Sequence, residues 1–167
     1  MSTAPKLENS NPLFDKNLIS AFVGGVTKTM QDMTNTVVTP GKAYIEKSAG
    51  MKADVAGYVK MSSPPLQGVL IIGYSSTSIF TLIENMLGEK YPNINKDVCD
   101  AVGEFTNMIY GSSKTTLNQL GYKMDMAIPI VIKKEDPDND LVRGVSLVIP
   151  FHLANNSSFF VEISIAS

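Results

Sequence analysis

The stretch "VAGYVKMSSPPLQGVLIIGYSSTSIFTLIENMLG", residues 55–88, decides the fold. Its first part holds two β-rich runs, VAGYVKM and LQGVLIIGY, joined by the turn-forming SSPP. Its second part changes period. Ile79, Leu82, Ile83, Met86 and Leu87 recur at helical spacing and predict a buried stripe. Ser75 or Ser76 offers the N-cap, and Gly88 suits the position just past the helix. Strand follows strand here with no helix between them, so this is not a strand–helix–strand repeat.

Upstream, Leu18, Ile19, Phe22, Val23, Val26 and Met30 predict a helix from about residue 15 to 33. Gly24 and Gly25 lower its propensity, so packing must hold it. Thr39, Pro40 and Gly41 punctuate its exit, and KAYIEK reads as a strand. Downstream, EKYPNI is a connector. Asn95 caps the longest helix, with Ile94 and Cys99 spaced as a hydrophobic staple, and Gly121 ends it. KMDMAIPIVIKK, VRGVSLVIPF and SFFVEISIA then read as strands, the last two as a hairpin across HLANNS. Three helices and about six clustered strands make an α+β fold: an antiparallel-rich sheet packed on one face by long helices.

The bulk properties exclude several functions. Of 167 residues, 44% are hydrophobic and 18% charged, as in a globular domain. The net charge of −2 leaves no field for nucleic acid or an anionic membrane. The adjacent Lys133 and Lys134 are answered at once by the acidic EDPDND. Cys99 is the only cysteine, which excludes an internal disulfide and reads as a packed thiol. His152, the only histidine, has neither a ligand cluster nor a GxSxG partner, so no metal site or triad is expected. The polar residues 1–14 read as a disordered tail and 15–167 as one domain. No run is apolar enough to span a bilayer, and a cytoplasmic setting is expected.

LQGVLIIGY (66–74) and VRGVSLVIPF (142–151) echo one another in the order apolar, long polar, Gly, Val, apolar strand. Each lies late in a block that begins with a long helix, which predicts an internal duplication. The second block would carry the site, because the first helix has no Glu-x-x-Asn.

The site candidate is Glu104 and Asn107. At roughly 100° per residue, Val98, Ala101, Val102, Phe105, Met108, Ile109 and Thr116 share the apolar half of the helix. Asp100, Glu104, Asn107, Gly111, Lys114 and Asn118 share the wet half. Glu104 and Asn107 are therefore neighbours at i and i+3. An ordinary solvated face accounts for such a pair, and the same spacing recurs at Glu8 and Asn11 in the polar tail. Gly103 and Gly111 raise its interest. Each costs about 1 kcal/mol against alanine inside a helix, and the amphipathic pattern requires neither. Small residues flanking an exposed Glu/Asn pair would let a partner's backbone come close.

"GEFTNMIYGSSKTTL", residues 103–117, resembles the signature helix of the chemotaxis phosphatases CheC and CheX and of the related flagellar switch phosphatases. Its Glu-x-x-Asn-Met is followed by a Gly and a Lys, as in that family. ENMLGEKYPNINKDVCDAVGE, LGYKMDMAIPIVI and the closing LVIPF and FFVEIS extend the resemblance over roughly residues 15–166. The single Glu-x-x-Asn is similar to CheX rather than CheC.

The resemblance implies a CheC-like fold and a phosphatase acting on the aspartyl phosphate of a CheY-type receiver. By it, Asn107 orients the attacking water, and Glu104 pairs with the receiver's active-site lysine. Gly103, Met108, Tyr110, Gly111 and Lys114 would contact the partner. No cofactor is implied on this chain, because Mg²⁺ belongs to the receiver, and the chain is expected to form a homodimer through edge strands. The chemistry agrees, since an amide positions water without being a strong base, and phosphoryl transfer mainly needs positioning and charge neutralisation. Tyr110 and Ser112 depart from the family's commoner Ala and Asn ("MIYGSS" for "MIAGNA"). Ser112 reads as a packing variant, whereas Tyr110, on the flank, would bear on partner choice. A module of the same fold that docks on a receiver or flagellar switch without catalysis is the alternative, motivated by Tyr110.

Overall fold

The computed structural model describes residues 15–49, 51–64, 66–136 and 143–165. Helix α1 spans Lys16–Thr34, α2 Ser76–Leu87 and α3 Lys96–Gln119. The strands are β1 (Thr39–Pro40), β2 (Tyr44–Ala49), β3 (Val55–Ser63), β4 (Leu66–Tyr74), β5 (Ile130–Lys133), β6 (Arg143–His152) and β7 (Ser158–Ile165). They form one sheet in the order β1-β6-β7-β4-β3-β5, with β2 also on β6, and every pairing is antiparallel. No helix among the described residues is long and apolar enough to cross a membrane.

Helix ends follow local chemistry. Asp15 caps α1 by accepting from the Asn17 amide at 2.8 Å. Ser75 caps α2 and Asn95 caps α3, each accepting from the amide three residues on. Asp54, just before β3, adds a second acceptor to the start of α2 and takes both the Ser76 amide and hydroxyl. Gly88 (φ 73°) and Gly121 (φ 102°) take the left-handed positions beyond α2 and α3. Helix α1 stops earlier than Thr39–Gly41, because Asn35 turns left-handed (φ 51°) and its amide bonds back to Gln31.

The three helices lie on one face of the sheet. Alternate residues of β3, β4, β6 and β7 meet them, among them Val55 and Val59, Leu70, Ile72 and Tyr74, Ile149 and Phe151, and Phe159, Val161 and Ile163. Phe151, Phe159 and Tyr74 stack across β6, β7 and β4 at 5.3 and 5.2 Å, and Phe105 of α3 lies 6.5 Å from Tyr74. The tail at 1–14 and residues 137–140 of the acidic EDPDND, with 141–142 after them, fall outside the described residues.

Four expectations are corrected. KMDMAIPIVIKK is a strand only at Ile130–Lys133, because side chains of α3 claim the backbone ahead of it. Leu87, placed on the buried stripe, is 55% exposed as the last residue of α2. Met108 and Thr116, assigned to the apolar side of α3, are exposed. The sheet does repeat a unit, but not the one in the sequence echo. The order helix, outer strand, hairpin occurs as α1–β2–β3–β4 and again as α3–β5–β6–β7. Strand β3 thus corresponds to β6 and β4 to β7, whereas the echo equated β4 with β6.

Candidate functional site

Helix α3 is held against the rest of the molecule at three heights. Phe105 is fully buried beside Tyr74, which by area contributes about 2–3 kcal/mol. Thr106, also fully buried, sits directly over Gly57 of β3 and donates to the Val102 carbonyl at 2.7 Å. A Cβ built on Gly57 would lie 1.8 Å from the Thr106 Oγ1, so only glycine lets the helix come this close. Further along, α3 crosses α1. A Cβ on Gly25 would meet the Ser113 Oγ at 2.3 Å and the Ile109 carbonyl at 3.1 Å.

That anchoring fixes where the candidate pair points. Phe105 and Thr106, the two residues between Glu104 and Asn107, go inward, so Glu104 and Asn107 go outward together, and both are exposed. Among the described residues, no hydrogen bond or ion pair engages either side chain. One turn earlier, Asp100 is tied to Lys96 at 3.1 Å in an exposed, solvent-screened pair. Met108 is 44% exposed beside Glu104. Gly103 faces Val131 of β5, where an added Cβ would make an ordinary 3.4 Å contact. Gly111 has nothing within 4 Å of an added Cβ, so no internal packing explains its lack of a side chain. Lys114 is half-buried on the same stripe.

Tyr110 is not on an exposed flank. It is 4% exposed, and its hydroxyl donates to the Asp125 carbonyl at 2.7 Å. Burial, then the neighbouring Asp125, pushes the phenol upward, which keeps it a donor at neutral pH. The bulk that replaces the commoner alanine braces the chain after α3 instead of meeting a partner. The docking-only alternative thereby loses its motive. Asn118 holds the same segment by donating to the Met124 carbonyl (3.4 Å) and accepting from its amide (2.7 Å).

Ser112 is half-buried, whereas its neighbour Ser113 is the fully buried one, and its Oγ has no hydrogen-bond partner among the described residues. A buried hydroxyl without a partner costs stability. Ser113→Ala is therefore expected to leave thermal unfolding unchanged or to stabilise by about 1 kcal/mol. A loss of stability in a melting experiment would show that the hydroxyl is satisfied.

Cys99 packs half-buried against the core, and burial raises its thiol pKa, as expected of an unreactive thiol. His152 is exposed at the end of β6. Among the described residues, no group of three or more His, Cys, Asp or Glu side chains is gathered as a metal site would require. The chemistry this helix offers is an amide and a carboxylate presented to something outside the chain.

A family profile described as chemotaxis phosphatase CheX matches residues 55–152, which include all of α3. The CheY-P phosphatase CheX of Thermotoga maritima is 23% identical over 154 residues, covering 92% of this chain and 98% of that protein. A CheC-like superfamily protein from Shewanella sp. PV-4 superposes with a TM-score of 0.80 at 31% identity, over 92% of this chain and all of that one. The same fold occurs in a CheX–CheY–BeF3–Mg²⁺ complex from Borrelia burgdorferi, with a TM-score of 0.71 at 22% identity, over 90% of this chain and 98% of that one.

Proposed function

The chain belongs to the chemotaxis phosphatase CheX family, and on that footing we propose that it hydrolyses the aspartyl phosphate of a phosphorylated CheY-type receiver. In this reading Asn107 enters the receiver's site. Its Oδ1 accepts a hydrogen bond from one water and turns that oxygen toward phosphorus, in line with the aspartyl bond. The water oxygen bonds to phosphorus, the bond from phosphorus to the aspartyl oxygen breaks, and the water's proton leaves with inorganic phosphate. The receiver's aspartate is returned as a carboxylate. Glu104 fixes the register by pairing with the receiver's lysine, and Gly103, Met108, Gly111 and Lys114 line the contact. Mg²⁺ in the receiver's own site would neutralise phosphoryl charge.

One observation carries this reading: Glu104 and Asn107 project together, exposed and unengaged, from a turn whose other residues, Phe105 and Thr106, are locked into the core. The test is the decay of a phosphorylated receiver in Mg²⁺ with and without this protein. Faster decay supports the assignment. Unchanged decay across the candidate receivers sinks it.

A cytoplasmic setting and a homodimer belong to the same proposal. Strand β2 has no strand on its outer side among the described residues, and it leaves Tyr44 47% and Ile45 39% exposed. A second copy adding there would cover both. Sedimentation velocity should find a dimer that Ile45→Lys converts to a monomer.

A further inference from the structure

The wet stripe of α3 is unevenly charged. Asp97, Asp100 and Glu104 are exposed on its first half, within about 60° of one another around the axis. The helix also carries two lysines, Lys96 and Lys114. Lys96 is paired with Asp100 at 3.1 Å. Lys114 has no such partner. Its neighbours three and four residues away are Tyr110, Gly111, Leu117 and Asn118, none of them acidic. Among the described residues, no ion pair or hydrogen bond engages its ammonium, although the residue is half-buried. Lys114 lies seven residues beyond Asn107, about 20° from it around the axis and about 10 Å along it. Gly111 stands between them, and an added Cβ there would meet nothing within 4 Å. A long side chain on a helix leans toward the N-terminus, over the turn before its own Cα. For Lys114 that turn holds Gly111, so no side chain at 111 stands between the ammonium and Asn107.

We propose that Lys114 carries the charge by which this site prefers a phosphorylated receiver to an unphosphorylated one. This rests on the reading of α3 as the receiver-docking helix. Charge selects the phosphoryl group as the counterpart of Lys114. An anion brought to Asn107 arrives beside Glu104, with Asp100 and Asp97 further back along the helix, and all three carboxylates repel it. A receiver lysine that pairs with Glu104 offsets one of them. The phosphoryl group itself gains a positive charge from this helix only at Lys114, since Lys96 is already held by Asp100. From over Gly111 the ammonium stands one helical turn, about 5 Å, from Asn107. That is inside the Debye length of about 8 Å at physiological salt, so the attraction survives screening. Lysine suits the task as a point charge on a flexible stem, able to follow an anion carried in by a separate molecule. The arrangement also gives the bare surface at Gly111 a use. A side chain there would come between the ammonium and the phosphoryl group.

The experiment compares wild type with Lys114→Met, which keeps the apolar stem and removes the charge, and with Lys114→Arg, which keeps the charge. A thermal melt checks that both fold. Each protein is titrated with a CheY-type receiver in Mg²⁺, with and without beryllofluoride standing in for the phosphoryl group, and the decay of the phosphorylated receiver is followed over a range of concentrations. For Lys114→Met, the dissociation constant of the beryllofluoride form should rise about fivefold or more. That of the unmodified receiver should stay within about twofold. The half-saturating concentration in the decay assay should rise with the first, while the rate at saturation falls much less, because Asn107 is untouched. Lys114→Arg should restore the preference. Equal weakening toward both receiver forms would place Lys114 against an ordinary carboxylate of the receiver and overturn the proposal. So would an arginine variant as weak as the methionine one. Unchanged binding by Lys114→Met overturns the proposal while leaving the phosphatase assignment intact. A wild type that prefers the beryllofluoride form without speeding decay, with the preference lost in Lys114→Met, keeps the role of Lys114 and removes the assignment. Receivers that neither bind nor decay faster overturn both.

Discussion

An Asn107→Ala variant is expected to lose at least about 100-fold of the acceleration of receiver dephosphorylation while keeping its fold. The size follows from the role proposed. A group that only positions the attacking water acts in the transition state, and removing one such polar contact from a sealed site costs about 3 kcal/mol or more. The unfolding midpoint should stay where it is or rise slightly. Asn107 is exposed, and alanine is the better helix former by about 0.5 kcal/mol. Decay kinetics and a thermal melt on the same preparation separate the two effects. An Asn107→Ala protein with full activity would show that the water is held elsewhere.

Gly57→Ala is the substitution expected to do most harm to the fold. Its new methyl would stand 1.8 Å from the Thr106 Oγ1, 2.7 Å from its Cβ and 2.9 Å from its Cγ2. Thr106 cannot swing aside, being fully buried, β-branched and bonded to the Val102 carbonyl. Either β3 or α3 must move, at a cost of about 3 kcal/mol or more, and the unfolding midpoint should fall by roughly 10 °C. Activity should drop too, because the helix that would shift carries Glu104 and Asn107. A Gly57→Ala/Thr106→Ala double variant removes the two outer atoms of the clash and should melt above the Gly57→Ala single variant. Equal melting of Gly57→Ala and wild type would show that the contact yields without cost.

What could be read from the sequence was what local chemistry decides. Ser75, Asn95, Gly88 and Gly121 end their helices where expected, because a cap is chosen by residues within one turn of it. The outward placement of Glu104 and Asn107 was likewise open to a helical wheel, whereas the roles given to them came from the resemblance alone. The misses share a cause, which is contact between residues distant along the chain. Residues 123–129 alternate like a strand, yet Asn118 and Tyr110 draw them onto α3. Tyr110 looked peripheral on the wheel because the wheel does not show the segment that covers it. Nothing near Gly57 in the sequence announces Thr106, and the echo between β4 and β6 compared apolar patterns without knowing which strands are partners.

The exchange of outer strands has a consequence for how the molecule comes apart. Strand β2, entered from α1, completes the hairpin β6–β7, and β5, entered from α3, completes the hairpin β3–β4. Each half therefore lends its outermost strand to the other, like two clasped hands, and neither can let go while the other stays closed. Cleavage in the α2–α3 connector would not release two stable fragments. Slowly exchanging amides on β4 and β7 should become unprotected together, in a single global opening.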